Sequence, residues 1–180
     1  ETYLSLRKLE NEVLRCITDQ ISMDLDGIIQ VSIGQFYGIE INDFAVTVAK
    51  TALWVAESQM MKETEDVVHM TLDFLPLKSY ANITEGNALR LDWESVVPKH
   101  ELNYIMGNPP FVGQTFRSKE QAEEVKAVFA NNPKAGKLDY VAAWYKLAAV
   151  YMQRTQINAA FVSTNSISQG EQVAILWRDL

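Results

Sequence analysis

A single cysteine, Cys16, rules out an internal disulfide and suits a reducing cytosol. It falls inside an apolar helical pattern, so it is expected as a small core residue rather than a reactive thiol. Two histidines, His69 and His100, stand without companions at metal-ligand spacing, and no zinc pattern exists, so no metal site is expected. No apolar stretch is long and charge-free enough to span a bilayer. The opening Glu1-Thr2-Tyr3-Leu4 lacks the basic-then-apolar signature of a secretory signal. A cytoplasmic setting is therefore expected, and a membrane partner is not. Basic residues are outnumbered, with 16 Lys and Arg against 23 Asp and Glu, for a net charge of −7. Nucleic-acid phosphates call for clustered Lys and Arg, and the chain offers no such cluster. Either nucleic acid is not its substrate, or the phosphate-gripping surface lies elsewhere. There is no internal repeat and no low-complexity tract.

What is present is ordinary globular material. A chain of 180 residues, 48% hydrophobic and 22% charged, fits one domain and can bury a real core. Leu6, Leu9, Val13 and Ile17 recur at helical spacing, which predicts an amphipathic helix over residues 3–19. The chain starts almost inside that helix, as a cut edge would. Ile28–Val31 and Phe36–Ile41 are rich in strand formers, with Gly34 between them. Asn42 can cap a helix from Asp43 to about Met61, with Phe44, Val48, Ala52 and Val55 on one apolar face. Asp73–Leu77 marks a loop, and Tyr80–Thr84 a short strand ending at Glu85-Gly86-Asn87. Leu102–Met106 is another strand, ending at Gly107-Asn108-Pro109-Pro110. Ser118 with Gln121 forms a capping box that opens a helix to about Asn131, and residues 132–136 form a turn. Residues 139–153 read as a helix with Val141, Trp144, Ala148 and Tyr151 inward. Asn158–Ser163 is an apolar strand, and Ser168 with Glu171 a second capping box. Strands alternating with helices predict an α/β fold whose mostly parallel sheet carries helices on both faces.

In such sheets ligands bind beyond the carboxyl ends of the strands. Three strand ends carry telling polar groups. Glu40, after Phe36-Tyr37-Gly38-Ile39, can accept hydrogen bonds from both hydroxyls of a ribose; standing alone, such an acid is a solvated loop residue. Asn87 could bond the amino edge of an adenine ring, or simply form the turn. Asn108-Pro109-Pro110-Phe111 is a rarer pattern. An exocyclic amino nitrogen is a poor nucleophile because its lone pair is delocalised into the ring. Two acceptors on its hydrogens draw it toward tetrahedral geometry, and the side-chain oxygen of Asn108 with the carbonyl of Pro109 would supply them. Pro109 and Pro110 fix φ and hold that carbonyl in one direction, while Phe111 would stack on the base. Positioning and polarisation then suffice without a pKa-shifted general base.

On these residues the chain resembles the amino-methylating DNA methyltransferases, particularly those of large combined restriction–modification enzymes. In these one polypeptide holds nuclease, methyltransferase and target-recognition parts. The resemblance extends over Gln35–Met60 (Phe-Tyr-Gly-Ile-Glu-Ile-Asn, then Ala-Lys-Thr-Ala-Leu-Trp), Glu85–Trp93, Leu138–Trp144 and Ala159–Gln169. It implies a Rossmann-like fold that binds S-adenosylmethionine (SAM) and transfers its methyl group to the 6-amino group of a flipped-out adenine. It also implies that Asn108, Pro109, Pro110 and Phe111 carry catalysis, that Glu40 binds the ribose, and that Ile41 lies beside the cofactor adenine. Asn87, with Ala88, matches the position contacting that adenine's amino group, where the family more often shows Asp. Asp139 and Tyr140 match a segment near the active site.

The family's glycine-rich cofactor loop is absent, for the chain contains no Gly-x-Gly. Residues 1–180 are accordingly expected to be a partial catalytic domain, truncated before the first strand, with the SAM loop upstream and a target-recognition domain downstream. On that expectation DNA is gripped mostly by the rest of the same polypeptide, and the isolated chain binds SAM weakly and is inactive. Gln114, Thr115, Arg117 and Lys119 follow the Asn108 turn and either approach DNA or form a solvated loop. Trp54, Trp93, Trp144 and Trp177 read as core or interface aromatics. Two other readings stay open: a protein glutamine methyltransferase, which meets the same lone-pair problem with Asn-Pro-Pro-Tyr, and a non-catalytic module that keeps the fold as a scaffold.

Overall fold

The computed structural model describes residues 1–17, 29–69, 71–72, 81–130 and 132–180. The expected loop at 73–77 lies outside them, as do Ile28, Tyr80 and Asn131. The described chain forms two compact units, Glu1–Gly86 and Asn87–Leu180.

In the first unit, helix α1 (Thr2–Ile17) runs against a long helix α2 (Asp43–Val68), and strands β1 (Tyr37–Glu40) and β2 (Asn82–Glu85) pair in parallel. Asn42 starts α2 as its residue type dictates: its Oδ1 accepts the backbone N–H of Ala45 at 2.9 Å, and Asp43 adds a negative charge beside the helix dipole. The helix runs about two turns past its expected end and stops at His69, which adopts the left-handed conformation at φ 54°. Parallel pairing places Glu40 opposite Glu85 at the carboxyl edge of this sheet, and Gly86 N–H closes the edge on the Glu40 carbonyl at 2.8 Å. The segment Ile29–Val31 is not a strand; the chain passes through a 3-10 turn at Ile33–Gln35 instead.

Both helices present a face other than the expected one. Leu6, Leu9, Val13 and Ile17 of α1 are exposed, Leu9 by 61%, and so are Phe44, Val48, Ala52 and Val55 of α2, Phe44 by 73%. The inward face of α1 is Tyr3, Arg7, Asn11 and Leu14, at equally good helical spacing but half polar. Arg7 is fully buried and donates to Thr64 Oγ1 at 2.7 Å. The Thr64 hydroxyl lies 2.7 Å from Asn11 Oδ1 and 2.8 Å from the Met60 carbonyl, and its single hydrogen serves one of these acceptors at a time. Arg7 also pairs with Glu10, whose Oε1 accepts the N–H groups of Gln30 and Val31. These polar groups bond one another, which offsets much of the cost of burying them, while Arg7 Nε and Asn11 Nδ2 find no hydrogen-bond partner among the described residues; a reading by hydrophobicity alone turns the helices the wrong way. Beside this spine Tyr3, Ile33 and Met60 form a small apolar cluster, with Tyr3 edge-on to Phe36 at 5.6 Å. Cys16 is exposed rather than a core residue.

In the second unit, strands β3 (Tyr104–Gly107) and β4 (Asn158–Phe161) pair in parallel, Gly107 opposite Phe161. Between them run α4 (Lys119–Val128) and α5 (Ala142–Tyr151), preceded in the chain by a single turn, α3 (Trp93–Val96), and followed by α6 (Glu171–Asp179). Ser118 and Gln121 make the expected reciprocal capping box at α4. Ser168 does not cap α6: its hydroxyl donates to the Asn165 carbonyl, and Gly170, at φ 81°, enters the helix in a conformation that favours glycine. The core gathers Leu89, Val125, Phe129, Leu138, Tyr140 and Leu176, which lie on α4, α6 and the loops that join the elements.

Candidate functional site

The turn after β3 is built to stand open. Asn108 is exposed, and its side chain makes no hydrogen bond among the described residues, while Pro109 is buried beneath it. Phe111 keeps 47% of its surface in solvent. Behind it the chain is pinned, since Tyr140 N–H donates to the Val112 carbonyl at 2.9 Å. Gly107 gives close clearance at the base of the turn. A β-carbon there would lie 3.2 Å from two ring carbons of Phe161, tighter than packing ordinarily allows. A stiff backbone thus offers one amide and one aromatic ring outward, with nothing among the described residues competing for the amide.

Asn87, at the amino end of the second unit, is engaged on both sides. Its Oδ1 accepts Leu89 N–H at 2.9 Å, and its Nδ2 donates to Glu124 Oε1 at 2.8 Å. Glu124, on α4, keeps only 8% exposure. The same Oε1 receives Arg90 Nε at 2.8 Å and pairs with Arg90 Nη2 at 2.7 Å, and the Tyr140 hydroxyl donates to Oε2. Burial first, and then the bond to Glu124 and its charge, raise the Tyr140 hydroxyl well above its ordinary pKa and keep it a donor. Ala88 turns its carbonyl to Trp93 Nε1 at 2.9 Å.

Glu40 and Ile41 belong to the first unit. Ile41 is 68% exposed. One oxygen of Glu40 accepts Asn42 N–H at 3.1 Å; the other makes no hydrogen bond among the described residues. Asp139 accepts from the hydroxyls of Ser166 and Thr164, and its backbone N–H donates to Gln172 Oε1 at 2.7 Å. It therefore ties the loop after β4 to α6. Gln114 and Thr115 lie exposed in a 3-10 turn, and Arg117 bends back to the Gly136 carbonyl at 2.5 Å. Burial pushes the Arg117 guanidinium below its ordinary pKa, with the charge of Asp139 opposing the shift. Trp54 and Trp177 are exposed by 42% and 52%, while Trp93 and Trp144 are half-buried.

The second unit thus joins Asn87 to the turn behind Phe111 through Glu124 and Tyr140. Glu124 and Arg90 are invisible to a reading of the sequence, because Glu124 sits in Lys119-Glu120-Gln121-Ala122-Glu123-Glu124 among charges that look like a solvated helix face. Among the described residues no group of three or more His, Cys, Asp or Glu could hold a metal ion, and no helix is long and apolar enough to cross a membrane.

Comparison with known proteins gives a consistent picture. The family model described as "MmeI, DNA-methyltransferase domain" matches residues 1–180. "DNA methyltransferase A" of Bacillus subtilis (strain 168) is 40% identical over 182 residues, a match that covers 99% of this chain and 21% of that protein. The solved structure of the Type IIL restriction-modification enzyme MmeI in complex with DNA superposes with a TM-score of 0.90 at 44% identity, covering 98% of this chain and 24% of that one. The chain therefore spans between a fifth and a quarter of the length of these relatives.

Proposed function

The chain belongs to the MmeI DNA-methyltransferase domain family, a methyltransferase domain of restriction-modification enzymes, and on that premise we propose that it methylates the 6-amino group of a flipped-out adenine in DNA, using SAM. The observation that carries this reading is the open Asn108 amide, unbonded among the described residues and set on a turn that two prolines stiffen. Asn108 Oδ1 and the Pro109 carbonyl each accept one hydrogen of the adenine amino group and hold its lone pair toward the incoming methyl. Phe111 stacks on the base and returns roughly 1–3 kcal/mol of the few kcal/mol that extrusion from the duplex costs.

The residues present fit the cofactor's adenosine in two respects. Glu40 keeps one carboxylate oxygen without a hydrogen bond among the described residues, available to ribose hydroxyls, and Asn87 Oδ1 keeps one lone pair beyond its bond to Leu89. Glu40 would hold the ribose and Asn87 the adenine amino group, and Ile41 and Ala88 are assigned to the same cofactor; when bound, the cofactor supplies an electrophilic methyl group. The fold is Rossmann-like in this reading. With a net charge of −7, the DNA phosphates are gripped mainly by other parts of a longer polypeptide, which also supplies the glycine-rich cofactor loop.

The test is Asn108→Ala in the full-length protein. Methyl transfer to an adenine-containing duplex should fall by roughly 100-fold or more, in the range seen when one polarising group is removed, with affinity for S-adenosylhomocysteine unchanged. Wild-type rates in the variant, or transfer to a glutamine peptide and not to duplex, would sink the proposal.

A further inference from the structure

Glu124 is a charged residue almost sealed inside the second unit, and the reaction described above gives it no part. What it faces is informative. A carboxylate only accepts hydrogen bonds, so the half of the Asn87 amide turned toward it must be the NH2 group. From the opposite side Leu89 N–H only donates, so the half turned toward it must be the oxygen. The two partners together allow one orientation of the amide and forbid its flip. Arg90 and Tyr140 hold the carboxylate itself in place, at the two oxygens respectively.

We infer that Glu124 is a positioning residue for cofactor recognition: it locks Asn87 as a hydrogen-bond acceptor and so makes the site select a 6-amino purine over a 6-oxo purine. The inference rests on the reading that Asn87 meets the cofactor's adenine. It also gives a physical account of how an amide serves where the family more often shows Asp. Asp has two acceptor oxygens and needs no lock; Asn has one acceptor and one donor, and without a fixed partner it would greet either purine by turning over. Glu124 removes that choice by occupying the donor.

The experiment compares binding of S-adenosylhomocysteine with that of its 6-oxo analogue, S-inosylhomocysteine, by calorimetry on the full-length protein. Wild type should prefer the amino ligand by roughly 10–100-fold, the effect of facing two acceptors with no hydrogen between them. In Glu124→Leu, where Leu89 N–H alone still favours the oxygen, the preference should fall by at least about threefold, chiefly through tighter binding of the 6-oxo ligand. Glu124→Gln, whose side-chain oxygen still accepts from Asn87, should keep it. Retention of the full preference in Glu124→Leu overturns the inference while leaving the adenine contact standing. Loss of affinity for both ligands in equal measure in Glu124→Leu also overturns it, as that marks a merely structural residue. A wild type that shows no preference removes the adenine contact itself and the inference with it. Should the leucine variant fail to fold, Asn87→Asp decides. It sets two carboxylates face to face, so it should weaken S-adenosylhomocysteine binding by about tenfold, with Glu124→Gln restoring it; undiminished binding in Asn87→Asp alone refutes the lock.

Discussion

Replacing Gly107 by alanine tests how tightly the Asn108 turn is held. The added β-carbon would lie 3.2 Å from Cδ1 and from Cε1 of Phe161 and 3.9 Å from Cδ of Pro109. The Phe161 ring must therefore yield by a few tenths of an ångström, and it has little freedom, because Tyr145 packs edge-on against it at 5.3 Å. Overpacking of this kind costs about 1 kcal/mol at the mild end of its range. If the turn gives way instead of the ring, Asn108 moves with it, and about 1 kcal/mol lost from positioning lowers the rate roughly fivefold. Valine brings two more carbons to the same place and should cost about 2–3 kcal/mol, or roughly 30- to 150-fold in rate. The assay is single-turnover methyl transfer to duplex DNA by the full-length protein, with S-adenosylhomocysteine affinity as control; that affinity should stay within about twofold. A Phe161→Leu partner variant opens space where the β-carbon lands, so the double variant should recover most of the loss relative to Phe161→Leu alone. Wild-type turnover in Gly107→Ala, or a loss that Phe161→Leu leaves untouched, would show that contact with this ring does not set the turn.

Two predictions concern the first unit. Thr64→Val keeps the shape of a fully buried residue but leaves Arg7 and Asn11 each short of a partner, so chemical denaturation should show a loss of about 2–5 kcal/mol; Thr64→Ser, which keeps the hydroxyl, should lose only about 1 kcal/mol, and equal stabilities for the two would disprove the polar spine. Burial raises the Tyr3 hydroxyl to about 12, with Arg7 opposing and Glu57 and Glu10 adding to the shift. A raised pKa means the folded state holds its proton more tightly, so stability is complete below about pH 10 and drains away up to pH 12, by roughly 2–3 kcal/mol in total. Tyr3→Phe should flatten the alkaline stability curve by that amount, and an unchanged slope would refute it.

Local signals in the sequence identified most elements, and long-range ones did not. Asn42 and the Ser118–Gln121 pair mark helix starts because capping is a matter of three neighbouring residues. The same kind of reading fails at Ser168, where Gly170 changes the path of the chain before Glu171 can reach back. Strand ends at Glu40 and Gly107 fall within a residue of expectation, since β-branched and aromatic runs stop at them. The helix faces were misjudged for a physical reason. Arg7, Asn11 and Thr64 are buried by virtue of one another, and their pairing joins residues more than 50 positions apart. Their places at strand ends mark Asn87 and Asn108 in the sequence, but that one amide is open and the other engaged depends on residues distant along the chain. Glu124 carried no signal at all, because its partners lie 34 and 37 residues upstream and 16 downstream.

Tyr140 serves two masters. Its hydroxyl supports Glu124, and through it Asn87, while its own N–H fastens the chain immediately behind Phe111. The two ends of the proposed reaction, one facing the methyl donor and the other the extruded base, therefore lean on a single side chain and its backbone. Thermodynamic reciprocity follows from that shared prop: whatever firmness the first ligand lends the second must be repaid to the first in equal measure.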